Sequence, residues 1–196
     1  PEKMPQACRL GEKTIADLMV QAGKKAQAVV AIGACATFGG IPGAENNLTG
    51  AMGVGDFFKK KGIPTPYINL PGCPIHPDWL VGTLVYILSY GLKKMSLDSL
   101  HRPRLFYSKL VHDQCPRFSY YEREQFAKNF GDEGCLFKLG CLGPKTKADC
   151  PVRHWNSGAN TCIKAGAPCI GCAWEEFALK TAFPLYTLHQ PERKGE

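Results

Sequence analysis

The chain has 196 residues, 44% of them hydrophobic, so it can bury a core without covalent staples, and its ten cysteines are not required as a disulfide framework. Formal net charge is +7, from 24 Lys and Arg against 17 Asp and Glu. Basic residues are not interleaved with aromatics on any one element, which argues against nucleic acid as a partner and leaves a solvated surface as the plainer reading.

From Pro1 to about Leu92 the pattern alternates helix and strand. Ile15, Leu18, Met19 and Ala22 recur at helical spacing, which predicts a helix over residues 14–25. Residues 28–32, Ala-Val-Val-Ala-Ile, predict a strand buried on both faces. It runs into a glycine-bounded stretch, residues 33–40, predicted as a flexible loop carrying Cys35. A second helix is predicted over residues 53–61, with the Lys59 to Lys61 run as its amphipathic end. Residues 66–70 predict a second strand, followed by Pro71-Gly-Cys-Pro74. In an open α/β sheet the loops at the carboxyl ends of parallel strands share one edge, so Cys35 and Cys73 are predicted to converge there. Two thiolates make half a cluster site, and two structural cysteines are the alternative. Pro77 and Asp78 open a third helix, apolar through Trp79, Leu80, Leu84, Val85, Ile87 and Leu88. It is too short to span a bilayer and reads as a core or interface helix.

In the second half the cysteines crowd. Seven of the ten fall between Cys115 and Cys172, with His112 three residues ahead of the first. Cys73, Cys115 and Cys150 each precede a proline, and Gly134, Gly140 and Gly171 each precede a cysteine. Such neighbours suit a metal-cluster loop, because proline stiffens the turn and glycine lets backbone N–H groups approach sulfur. Two four-ligand sets can be drawn: His112, Cys115, Cys135 and Cys141, then Cys150, Cys162, Cys169 and Cys172. They fit two cubane iron–sulfur clusters or two zinc ions. No repeat or clear linker divides the chain, and we read an α/β domain over residues 1–100 followed by a cofactor-rich domain over residues 101–196. Neither end carries a recognisable secretion signal or anchor.

Five stretches then combine: Gly33-Ala-Cys-Ala-Thr-Phe-Gly-Gly-Ile-Pro42, Asn69-Leu-Pro-Gly-Cys-Pro-Ile-His-Pro-Asp-Trp79, His112-Asp-Gln-Cys-Pro116, Gly134-Cys-Leu-Phe-Lys-Leu-Gly-Cys-Leu-Gly-Pro144 and Ala167-Pro-Cys-Ile-Gly-Cys172. In this order they resemble the motifs of the small subunit of nickel–iron hydrogenases, over almost the whole chain. The resemblance implies a flavodoxin-like open parallel sheet followed by a loop-rich iron–sulfur domain. It also implies a heterodimer with a large subunit that carries the catalytic nickel–iron site, and three clusters in relay. Cys35 and Cys73 would be two ligands of a proximal 4Fe-4S cluster. Cys150, Cys162, Cys169 and Cys172 would hold the medial cluster, and His112, Cys115, Cys135 and Cys141 a distal 4Fe-4S cluster with one imidazole ligand. Electrons would pass to a carrier such as a cytochrome c or a membrane cytochrome b, in the periplasm or on the outer face of the cytoplasmic membrane.

Two departures from the family pattern stand out. The Cys-x-x-Cys pair that completes the proximal set in the family is not among these residues, so either they are part of a longer polypeptide or another chain supplies it; Cys8 reads as structural or incidental. Cys162 stands where many members have proline, which implies a four-iron medial cluster like that of the nickel–iron–selenium branch, and a three-iron form if Cys162 is not a ligand. No extra cysteine adjoins Gly39-Gly40, so an ordinary, oxygen-sensitive proximal site is expected. His76, His154 and Trp155 are given packing or helix-start roles, and Lys109, Arg117, Arg123, Lys138, Lys145 and Lys147 are read as surface. The rival classes are a ferredoxin-like or zinc-ribbon binding module and a quinone oxidoreductase subunit that shares the proximal motifs but lacks the His112 set.

Overall fold

The structure is a computed structural model and describes residues 1–44 and 46–178. The chain groups into two compact units, Pro1–Tyr107 together with residues 172–178, and Ser108–Gly171.

In the first unit a short antiparallel pair, β1 (Arg9–Leu10) and β2 (Lys13–Thr14), leads into helix α1 (Ile15–Lys25). Thr14 caps α1 by accepting the Asp17 amide at 3.1 Å, and Lys24 and Lys25 lie at the end where the helix dipole is negative. Strand β3 (Val29–Ile32) pairs in parallel with β4 (Tyr67–Leu70), register Val29 to Tyr67 through Ile32 to Leu70. The other edge of β4 is met by the Asn69 amide donating to the His101 carbonyl at 2.9 Å. The expectation that β3 is buried on both faces is corrected: Ala31 is buried but Ile32 is 45% exposed. Burial of a strand depends on its neighbours, and among the described residues β3 has a strand on one side only.

Residues 33–40 also differ from the expected flexible loop. They contain a short helix, α2 (Ala34–Phe38), with Gly33 before it and Gly39 after it, both at positive φ. Thr37 Oγ1 donates to the Gly33 carbonyl at 3.0 Å. The glycines therefore bound the helix instead of loosening the whole segment. Helix α3 (Val54–Lys61) ends on Gly62 in the left-handed conformation, with its lysines in the last turn.

Helix α4 (Pro77–Tyr90) is capped by His76, whose Nδ1 accepts the Asp78 amide at 3.1 Å, so this buried histidine has the helix-start role. Replacing His76 with alanine is expected to cost about 1–2 kcal/mol through the lost cap; an unchanged thermal midpoint in the purified protein would refute that. The buried face of α4 sends Trp79 against Tyr107 of α5 (Arg104–Tyr107), ring centroids 5.0 Å apart. Tyr107 donates its hydroxyl to the Pro71 carbonyl at 3.0 Å, which ties the core to the loop carrying Cys73. The other face leaves Val81, Val85 and Leu88 exposed, so α4 has an exposed apolar face as well as a core face. No described helix is long and apolar enough to cross a membrane.

Arg102 is 4% exposed and held by Asp98, Nε to Oδ2 2.8 Å, while its Nη1 donates to the Ala173 carbonyl at 3.0 Å. This contact brings the residue after Cys172 to the first unit.

The second unit is loop-rich. It holds α6 (Phe118–Glu122), α7 (Cys150–Arg153), single 3-10 turns and isolated bridges such as Leu110 with Lys147 and Phe126 with Cys135. Its apolar core is small: Val111, Ala127, Leu136, Ala148 and Ile163 are buried, as are Cys135 and Cys169. A segment with so little regular structure and so few apolar anchors is the kind that gains stability from a bound metal group.

Candidate metal centre

At the carboxyl ends of β3 and β4 the two cysteine loops are lashed together. The Gly33 amide donates to the Leu70 carbonyl at 2.9 Å and the Ala34 amide to the Gly72 carbonyl at 2.8 Å. Cys35 lies in the first turn of α2, exposed, and Cys73 is half-buried. Burial, and after it the charge of Cys35, push the Cys73 thiol above its ordinary range, so the two sulfurs are in electrostatic reach of each other. Gly40 closes over this corner at φ +51, where a Cβ would meet the Cys35 amide nitrogen at 2.8 Å. Two thiol donors are present, half of what a four-iron cluster takes.

The second set is fuller. His112, Cys115, Cys135 and Cys141 all line one pocket with ≈ 330 Å³ of atom-free space, part of it open to solvent. Burial raises the thiols of Cys115, Cys135 and Cys141; the Coulombic effect of neighbouring cysteines adds to it at each, from Cys141 and Cys135 on Cys115, from Cys141 on Cys135 and from Cys162 on Cys141. Backbone amides oppose it. The Arg117 amide donates to Cys115 at 3.3 Å, and the Phe137 and Gly143 amides favour the ionised forms of Cys135 and Cys141. The Cys169 amide acts on Cys141 in the same direction. The His112 ring is set edge-on by Phe118 and Tyr121, centroids 5.0 and 4.6 Å away.

This donor set fits an iron–sulfur cluster. Burial favours the neutral thiol in the free protein, and a bound metal group would hold the same sulfurs as thiolates, whose charge a nearby N–H donor stabilises. A single zinc ion would draw its sulfurs to within roughly 4 Å of one another, given Zn–S bonds of about 2.3 Å. Among the described residues no three His, Cys, Asp or Glu side chains converge that way.

Of the remaining set, Cys150 opens α7 and its carbonyl accepts the His154 amide at 3.0 Å. Cys162 is exposed. Cys169 is buried, its sulfur taking the Gly171 amide at 3.4 Å and lying 3.9 Å from Thr146 Oγ1. Cys172 starts the short return to the first unit, and Cys8 is exposed beside β1. His154 Nδ1 lies 3.0 Å from the Gly158 carbonyl. Arg117 is not the plain surface residue expected. It lines the His112 pocket and donates to two backbone carbonyls, a role that nothing in the order of residues signals.

Comparison with known proteins gives each half of the chain a family match. Residues 6–87 match the family model "NADH ubiquinone oxidoreductase, 20 Kd subunit", and residues 107–184 match the model for the C-terminal part of the NiFe/NiFeSe hydrogenase small subunit. The second match takes in the whole His112 set. A solved NiFeSe hydrogenase structure from Desulfovibrio vulgaris Hildenborough superposes with a TM-score of 0.84 at 40% identity, over 93% of this chain and 70% of that one. The chain belongs to the nickel–iron hydrogenase small-subunit family. The periplasmic NiFeSe hydrogenase small subunit of Desulfomicrobium baculatum is 44% identical over 85% of this chain and 54% of its own length. The F420 non-reducing hydrogenase II small subunit of Methanosarcina mazei is 39% identical over 95% of this chain and 52% of its own. The chain thus spans about half the length of the curated relatives it matches. Hydrogenase small-subunit membership sets aside both the free-standing zinc-ribbon reading and the quinone oxidoreductase reading, the latter sharing only the first-half match. The fold agrees: a parallel α/β sheet and a loop-rich second unit.

Proposed function

We propose that this chain works as the electron-relay small subunit of a heterodimeric nickel–iron hydrogenase, carrying electrons between a nickel–iron centre on the large subunit and an external redox carrier. The observation that carries this reading is that His112, Cys115, Cys135 and Cys141 line one pocket, with the Arg117 amide on the Cys115 sulfur, in a chain of this family. Bound iron–sulfur clusters would supply reversible one-electron chemistry. The protein's own share is to fix donor geometry, exclude water and set potential. His112 replaces one thiolate charge with a neutral imidazole, and Phe118 and Tyr121 hold its ring. Cys35 and Cys73 are assigned to a proximal cluster whose other ligands lie outside these residues, and Cys150, Cys162, Cys169 and Cys172 to a medial 4Fe-4S cluster. The exposed Val81, Val85 and Leu88 face of α4 suits an obligate interface with the large subunit. The relative named as periplasmic supports a periplasmic site of action, with a cytochrome as a fitting acceptor.

Hydrogen-dependent dye reduction by the co-purified complex is the expected result, with acid-labile sulfide present and iron exceeding it only by what the nickel–iron centre holds. A colourless complex, or one holding zinc in place of iron, would overturn the reading. A second prediction concerns the medial set. Replacing Cys162 with serine is expected to produce a paramagnetic three-iron signal in the oxidised protein that the parent lacks; the same strong signal in the parent would show that Cys162 is not a ligand.

A further inference from the structure

Arg117 follows Cys115 by two residues and lines the His112 pocket, half-buried. Three hydrogen bonds fix it. Its amide donates to Cys115 Sγ at 3.3 Å, and its Nη1 donates to the Asp132 and Gly134 carbonyls, each at 2.7 Å. Those carbonyls lie immediately ahead of Cys135, so one side chain ties the loop of the second thiol to the loop of the first. The tie is close. Gly134 sits at φ +113, and a Cβ there would meet the Ala127 amide nitrogen at 2.8 Å, so this loop has one way to lie.

The guanidinium also bears on charge. It stands in the wall of the same pocket as Cys115 and Cys135, held there by its two carbonyl bonds. A pocket of three thiolates and one neutral imidazole gathers negative charge, and each electron received adds to it. A fixed cation at the wall lowers the cost of that addition. Both carbonyl bonds come from Nη1, whose two N–H directions the planar guanidinium fixes; lysine supplies the charge on a flexible stem without that fixed plane.

We propose that Arg117 is a positioning residue of this site: it clamps the Cys115 and Cys135 loops in register and supplies the positive charge that raises the reduction potential of the cluster held there. The proposal rests on reading the pocket as the distal cluster site. The test uses the purified complex with Arg117→Gln and Arg117→Lys. The distal cluster is first recognised in the parent by imidazole-nitrogen coupling in pulsed paramagnetic resonance, then followed by redox titration and by iron loss to a chelator. Arg117→Gln is expected to shift the nitrogen-coupled cluster to a more negative potential. Arg117→Lys is expected to keep the potential, while both variants lose that cluster's iron about tenfold faster. Parental potential and parental iron loss in Arg117→Gln would overturn the proposal. Should Arg117→Gln load no cluster, Arg117→Lys decides, and iron loss at the parental rate counts against the clamp. A parent without nitrogen coupling sinks the distal reading itself, a result distinct from unmoved variants in a parent that shows it.

Discussion

Replacing Asp98 with alanine is expected to destabilise the first unit by about 3–5 kcal/mol, the cost of leaving a buried charge without its partner. Arg102 is nearly fully buried, and its guanidinium is answered by Asp98 at 2.8 Å. Asp98 also accepts the amides of Leu100 and Arg102, each at 2.9 Å, so the substitution orphans three donors together. The consequence reaches the candidate ligands. Arg102 holds the Ala173 carbonyl, next to Cys172, and sits 5.6 Å from the centre of the Tyr107 ring, whose hydroxyl holds the Cys73 loop. Asp98→Asn, which keeps one acceptor oxygen but removes the charge, should fall between parent and alanine. Chemical denaturation of the purified protein would check this, and a loss below about 1 kcal/mol for the alanine variant would show that the pair carries little.

The second large effect lies at the His112 pocket. Cys135→Ser is expected to remove the cluster assigned there and to cut hydrogen-dependent reduction of a large protein acceptor by at least about tenfold. Serine keeps the size and removes the soft thiolate, and Cys135 is the buried cysteine of the set, so water does not readily take its place. Iron content should fall by one cluster while the remaining clusters keep their spectra. Small dyes that can take electrons earlier in the relay should be reduced at closer to the parental rate. Parental iron content together with parental reduction of the protein acceptor would remove Cys135 from the ligand set.

Much of this was legible in the order of residues, for reasons that are local. The helices start where a capping side chain meets an apolar period, at Thr14 and at His76-Pro77, and strand followed by glycine and cysteine occurs twice, which places Cys35 and Cys73 at one edge of a parallel pair. What could not be read depends on distant partners. Residues 33–40 look like a loop because glycine bounds them, yet the five residues of α2 can turn once Thr37 bonds back to Gly33. Ile32 looks like a core residue, and its exposure follows from what lies beside β3. Arg117 looks like surface because its partners lie 15 and 17 residues further on. The return of residues 172–178 to the first unit likewise depends on a contact 71 residues apart in the chain, Arg102 with Ala173.

The sulfurs of Cys115 and Cys169 each take the amide two residues on, from Arg117 and Gly171, and the Phe137 and Gly143 amides favour the thiolates of Cys135 and Cys141 from the same spacing. Main-chain groups are supplied by every amino acid but one. A main-chain donor survives a change of side chain, so what these positions can vary is set by other duties, the clamp at Arg117 and the left-handed backbone at Gly171, while proline at any of them would remove the donor itself.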